Sequence, residues 1–304
     1  MRTNRSRAIG AGLLALVMLM AACGDSGDGA NDGPEVVIAA QDFGESEILA
    51  EIYKGALESK GFTARVQRVG GFRDLELAAF ESGDVNLAPE YAASMLEYLN
   101  EGAGEATGDA AATTDLLNGY IEELGLVALT PSDAVDTNAF VVTAETSESL
   151  GITSLSDLAE KGADLTLGGP PDCETNPFCI PGLQRVYGLD LSANFTPLQA
   201  GLPTADALEQ DAIDVGILFS TSAIIADRGY VLLEDDQNML AADNVVPVLT
   251  NDLLEAYGDE LRNLLDEISS KLTTADLTAM NKRFEIDNED ADAIAADWLA
   301  DNGY

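Results

Sequence analysis

The stretch Asp84-Val85-Asn86-Leu87-Ala88-Pro89-Glu90-Tyr91-Ala92-Ala93-Ser94-Met95-Leu96 decides how this chain is read. Asp84 to Ala88 alternates in the manner of a short half-buried strand. Pro89 is expected to stop sheet pairing there, because it has no N–H to donate and its φ is fixed. From Tyr91 the period becomes helical, with Met95, Leu96 and Leu99 at three- and four-residue spacing. Tyr91 and the first free N–H groups of that helix are thereby placed at a strand's carboxyl end, where ligands of open α/β sheets sit. The alternative is an ordinary strand–helix corner with a half-buried Tyr, and the flanking chain chooses between the two.

Before this stretch come a strand at Glu35–Ala40, a helix from about Ser46 to Lys60, a strand at Thr63–Val69 and a helix at Phe72–Ser82. Strand and helix alternate from the outset, which predicts a mostly parallel sheet covered on both faces. After it follow a polar loop at Glu101–Ala112, a helix at Thr114–Leu124 and a short strand near Val127. The polar run Pro131–Thr137 and the apolar strand Asn138–Thr143 mark a crossover into a second lobe. That lobe is expected to hold a helix capped by Ser156, a strand at Leu165–Gly168, and short helices at Pro181–Tyr187 and Thr204–Gln210. The buried strand Ala212–Phe219 runs into Ser220-Thr221-Ser222 and is read as the return crossover. A strand at Val245–Leu249 and helices near Asp252–Leu272, Thr274–Phe284 and Asp290–Asn302 complete the chain. The expected domains are 35–138 with 219–304 as a discontinuous first lobe, and 139–218 as the second. Two lobes joined by two crossover strands enclose a cleft able to close on a small molecule.

Composition removes most other functions. The 304 residues include 54 acidic and 15 basic side chains and no His. Such a surface repels nucleic acid and anionic lipid. Without His there is no His-based triad, no His-ligated zinc and no histidine general base, so an enzyme is not expected. Asp287–Asp292 lacks the central Gly of a calcium loop and reads as a solvated helix start. No cofactor and no metal are called for. An exported carboxylate-dependent hydrolase would need two facing acids in the cleft, and no pair in the sequence demands one.

Arg2, Arg5 and Arg7 precede an apolar run from Ala8 to Met20, which is a secretory signal too short for a stable membrane span. Met20-Ala21-Ala22-Cys23 looks like a bacterial lipobox and implies cleavage before a lipid-bearing Cys23, so that the signal peptide with its lipobox spans 1–23 and residues 1–22 are removed. Gly24 to Pro34, rich in Gly and Asp, reads as a flexible tether. With three of the fifteen basic residues lost and none of the 54 acids, the mature net charge is −42. The two cysteines left, Cys173 and Cys179, read as a structural disulfide in an exported protein. The mature chain is expected outside the cell membrane, held there by the lipid alone and acting as a monomer.

The chain carries, in order, Gln41-Asp42-Phe43-Gly44-Glu45-Ser46-Glu47-Ile48-Leu49, Pro89-Glu90-Tyr91, Asp136-Thr137-Asn138-Ala139, Pro181 to Leu189, Ser220-Thr221, and Leu233 to Asp236 with Pro247 behind it. This ordered set resembles the substrate-binding proteins of ABC importers for glycine betaine, choline, carnitine and related osmoprotectants. The resemblance runs through residues 35–304 and implies a two-lobed periplasmic-binding-protein fold of type II-like form. It also implies an importer permease as partner and an aromatic cage around a quaternary ammonium, which donates no hydrogen bonds and is held by cation–π attraction. Carried over, Tyr91 stands at a cage position and Ser94 at a hydroxyl position on the same helix. Phe219 and Asn138 stand where Tyr is common. Gln41 replaces a Lys of the first loop, and Asp243 lies near another cage Tyr. Ser220 and Thr221 complete the expected ligand set. The departures imply a cationic or zwitterionic amine held by Tyr91, Phe219, Asn138 and one of Asp42 or Asp243. Two alternatives are a cationic or polar amino-acid-like ligand in the same fold, and a scaffold lipoprotein without transport.

Overall fold

The structure, a computed structural model, describes residues 33–71, 73–241 and 243–304. The signal segment, Cys23 and all but the end of the expected tether lie outside the described residues. The strands are β1 (Val36–Gln41), β2 (Ala64–Gly70), β3 (Leu87–Tyr91), β4 (Leu126–Ala128), β5 (Asn138–Val142), β6 (Leu167–Gly169), β7 (Phe195–Pro197), β8 (Val215–Phe219), β9 (Val231–Leu232) and β10 (Val245–Thr250). They form two five-stranded sheets, ordered β2-β1-β3-β10-β4 and β7-β6-β8-β5-β9. The sheets share one plan: three parallel strands, then one antiparallel strand, then a fifth that pairs antiparallel to the fourth. In each sheet the antiparallel strand, β10 or β5, is the one the chain lays down just after crossing between lobes.

Helices cover both faces of the first sheet. Gly44–Ser59 buries Ile48, Leu49, Ile52, Tyr53, Ala56 and Leu57, the stripe its helical spacing predicts. That stripe packs with Leu265, Ile268, Leu277 and Trp298 of the C-terminal helices Asp259–Lys271, Thr274–Glu285 and Ala291–Asp301. On the opposite face Met95 and Leu96 of helix Ala92–Leu99 meet Leu117 and Ile121 of helix Ala110–Ile121. The second lobe has its own cores on either side of its sheet, one around Phe140, Leu158, Leu183 and Ile217, the other around Val141, Leu208 and Ile224.

Several expectations are corrected. Pro89 does not stop the sheet: β3 runs through it to Tyr91 and places it opposite Pro247 of β10. Opposed residues of an antiparallel pair are alternately hydrogen-bonded and not, and two prolines face each other without loss only in a pair of the second kind. The helix expected at Thr114 starts at Ala110, because the Asp109 side chain accepts the Ala112 N–H and caps it. The cap expected at Ser156 is Ser154, whose hydroxyl accepts the Asp157 N–H. The span Asp252–Leu272 is two helices, Asn251–Tyr257 and Asp259–Lys271, broken at Gly258 with φ 60° and ψ −137°. The return crossover is not at Ala212–Phe219. β8 lies in the middle of the second sheet, β9 adds its edge, and Leu233 and Met239 still pack in the second-lobe core. The buried run read as a crossover is a central strand, and the two-residue edge strand after it is too short to leave a pattern.

Two chain segments therefore join the lobes, one before β5 and one before β10. They lie side by side, bridged antiparallel at Val135 and Asn244. The Asp136 N–H donates to the Asp243 carbonyl at 3.0 Å, and the Val245 N–H to the Ala134 carbonyl at 3.0 Å.

Gly258 supplies a direct test of the backbone reading. A Cβ there meets no atom within 4 Å, so Gly258→Ala carries only the conformational cost of a region closed to L-residues. We expect a loss of about 1–3 kcal/mol in urea unfolding, with the far-ultraviolet spectrum unchanged.

Candidate ligand site between the lobes

The carboxyl ends of β1, β3 and β8, the second crossover and the segment after β6 converge on one cavity of about 400 Å³ between the lobes. Phe43 follows β1, Tyr91 ends β3 and Phe219 ends β8. The Phe43 ring lies 6.2 Å from that of Tyr91 and 5.4 Å from that of Phe219, centre to centre, so one lobe's aromatic reaches the other's through Phe43. Tyr98 and Phe178 also line the cavity.

The Tyr91 ring is held by a buried acid. Its hydroxyl donates to Glu45 at 2.6 Å, and Glu45 also accepts from Thr221 at 2.7 Å and Asn281 at 2.6 Å. Burial raises the Glu45 carboxyl above its usual range, against three hydrogen bonds that pull it down. Burial, then the nearby Glu45 charge, raises Asp136 well above its own range, although Ser220 and the Thr221 N–H donate to it. A second buried group stands beneath Gln41. Arg73 grips Glu90 with two bonds of 2.9 and 2.8 Å, and Gln41 donates to Glu76 and Glu90 at 3.1 and 3.3 Å. Burial and the Glu90 charge push Glu76 well up. Burial is the largest single influence on Glu90 and lifts it, but the Arg73 guanidinium, together with hydrogen bonds from Glu76 and the Tyr91 N–H, outweighs it and keeps that carboxyl low. Proton and cation thus offset what would otherwise be two adjacent buried charges.

Asp243 sits on the second crossover. It accepts the Ala93 and Ser94 N–H groups at 2.8 and 3.0 Å and a hydrogen bond from the Ser94 hydroxyl. It thereby caps helix Ala92–Leu99 from a distant part of the chain, since Tyr91, the residue at the cap position, supplies no side-chain bond. Burial raises its carboxyl to about 6.

The second-lobe wall is one loop. Every residue from Pro170 to Phe178 lines the cavity, and a disulfide between Cys173 and Cys179, with Cα atoms 5.2 Å apart, closes it. The Asn138 amide donates to the Phe178 carbonyl at 3.2 Å and fixes the loop's end to β5.

Of the residues predicted from sequence, Tyr91, Ser94, Phe219, Asn138, Gln41 and Asp243 line the cavity. Asp42, Ser220 and Thr221 do not. Asp42 is exposed and reaches Gln199 of the other lobe at 3.4 Å, and Thr221 is buried against Glu45 and Asn281. The Ser220 hydroxyl donates to Asp136 on the first crossover. These three tie the lobes together. Phe43, Arg73, Tyr98 and Phe178 were not predicted. Tyr98 follows Tyr91 at helical spacing (91, 94, 98), a signal present in the sequence. Phe178 carries none, since nothing local foretells the path of a cysteine-bounded loop.

Two α/β lobes of common topology, twice joined and closing on an aromatic cavity, define a solute-binding protein of the two-lobed class. Residues 34–301 match the family model described as the substrate binding domain of ABC-type glycine betaine transport systems, and the chain belongs to that family. The sequence resemblance named the same family. A glycine-betaine-binding protein of Pseudomonas aeruginosa is 28% identical over 275 residues, 87% of each chain. The glycine betaine-binding protein YehZ of Escherichia coli is 23% identical over 269 residues, covering 86% of this chain and 88% of that one. A crystal structure titled as a glycine betaine/carnitine/choline ABC transporter superposes with a TM-score of 0.66 at 24% identity, over 88% of this chain and 98% of the other.

The raised Asp243 carboxyl sets a pH dependence. An unfolded Asp titrates near 3.9, so between roughly pH 4 and 6 the folded chain holds a proton that the unfolded chain releases. The associated stability is present below that window and is lost as pH rises through about 6. Asp243→Asn keeps the capping geometry without a titrating group. Thermal unfolding measured from pH 4 to 7.5 at constant ionic strength should therefore fall more steeply with pH for the natural protein than for the variant.

Proposed function

We propose that this chain captures a small methylated-ammonium solute of the glycine betaine, choline or carnitine class and delivers it to the permease of an ABC importer. The observation that carries the solute class is the ring cluster of Phe43, Tyr91 and Phe219 at an inter-lobe cavity that also holds Asp136 and Asp243. Ring faces and nearby acids attract a cation that cannot donate hydrogen bonds, and the cavity falls within the size range of small-ligand sites. The names of the relatives point the same way, and no observation favours an amino-acid ligand or a scaffold role.

In this reading Phe43, Tyr91 and Phe219 contact the ammonium, while Gln41, Ser94, Asn138 and Asp243 shape the polar wall. The first lobe is 35–137 with 243–304, and the second spans the chain between. The chain works outside the cell membrane as a single copy, tethered through lipid on Cys23 after removal of 1–22. The paired crossovers act as the hinge on which the cleft opens and shuts.

Titration calorimetry against choline, glycine betaine and carnitine tests the reading: heat is expected with at least one, and none with all three overturns it. Phe43→Ala and Phe219→Ala should each weaken binding about tenfold or more, in line with about 2 kcal/mol for a desolvated cation–π contact. The Cys173→Ser/Cys179→Ser double variant should remain folded by circular dichroism yet bind more weakly. Its cavity wall must then be ordered at the expense of binding energy.

A further inference from the structure

We infer that the cleft selects a net-cationic methylated amine, of the choline type, over zwitterions whose ammonium is paired with a carboxylate. The inference rests on the proposed function and specifies the ligand's net charge. Six ionisable acid or base side chains other than Tyr line the cavity: Asp74, Asp136, Asp172, Glu174, Asp243 and Arg73. Arg73 is the one cation among the described lining residues, and its Nε and one terminal nitrogen are already committed to Glu90 at 2.9 and 2.8 Å. Glu76 stands beside the pair, linked to Glu90 through Gln41. The start of helix Ala92–Leu99, which would otherwise receive an anion, is likewise occupied. The Ala93 and Ser94 N–H groups and the Ser94 hydroxyl are all spent on the Asp243 carboxylate.

The protein's own acids thus stand where a ligand carboxylate would seek partners. Across the cavity the disulfide-closed loop adds Asp172 and Glu174 and no base. A ligand with a lone positive charge gains from this field without offset. A betaine or carnitine gains at its ammonium and loses at its carboxylate, so the two contributions largely cancel. The aromatic rings serve both ligands equally, because both present the same trimethylammonium group, and discrimination falls to the acids.

The experiment is calorimetric titration of the natural chain, Asp243→Asn and Asp172→Asn with choline, glycine betaine and carnitine at pH 7.5 and low ionic strength. The natural chain is expected to bind choline at least about tenfold more tightly than either zwitterion. Both variants should narrow that ratio, with Asp243→Asn the larger effect, and added salt should narrow it in the natural chain. Asp172 lies on the loop away from the helix cap, so its variant reports charge even if Asp243→Asn disturbs folding. Glycine betaine or carnitine binding as tightly as choline overturns the inference and leaves the proposed function standing. A choline preference that neither variant changes also overturns it. Absence of heat with all three overturns both.

Discussion

The hydrogen-bonded contact between the two lobe-joining segments is the constraint on which the rest of the molecule depends. The Asn244 side-chain amide donates to the Ser132 carbonyl at 2.8 Å, while the Asn244 backbone carbonyl accepts the Ala92 N–H at 3.0 Å. A short run of the second crossover therefore binds the first crossover and the start of helix Ala92–Leu99 together. One residue earlier, Asp243 caps that same helix. The lobe-joining pair and the cavity wall are one object, so a change in how the segments lie against each other must be felt at Tyr91 and Ser94.

Around this contact the fold buries an unusual number of acids. Glu45, Glu76, Glu90, Asp136 and Asp243 are all nearly inaccessible to solvent. A buried carboxyl is costly unless hydrogen-bonded, paired or protonated, and each of these five has at least one of those remedies. Their value lies in direction rather than stability. Glu45 draws the Tyr91 hydroxyl, the Thr221 hydroxyl of the other lobe and Asn281 of a C-terminal helix to one point. Glu285, half-buried, does the same, accepting from the Ser222 hydroxyl and the Ala223 N–H. The lobes are thus in register through polar contacts that water can replace.

Much of the fold was legible because helix and strand periods are local properties. The stripe Ile48-Leu49-Ile52-Tyr53 and the strand Asn138–Val142 lie where their patterns put them. What was not legible depended on partners distant in sequence. Pro89 reads as a breaker until Pro247 is set opposite it, and β8 reads as an exit until β9 is laid along the far side of β5. At the site, residues attached to strand ends were predictable, since a strand's carboxyl end is a fixed place. Asp42 lies between the lining residues Gln41 and Phe43, and Thr221 two past Phe219, but both stand beyond their strand's end, where the turn and not strand alternation sets the side-chain direction. Arg73 escaped notice because a lone Arg opening a helix looks like surface until its carboxylate partner is found beneath the sheet's end.

The placement of β10 has a consequence for how the molecule comes into being. The second sheet draws all its strands from residues 138–232 and can be assembled from that continuous stretch. The first sheet cannot, because β10 lies between β3 and β4 and supplies both with their neighbour. While the chain is being made from its N-terminus, β3 and β4 must wait for residues beyond Val245 with their inner edges unpaired. The lobe that the chain begins can therefore be completed only when its last strand is present. The same insertion means that no single cut in the chain separates the two lobes into whole pieces.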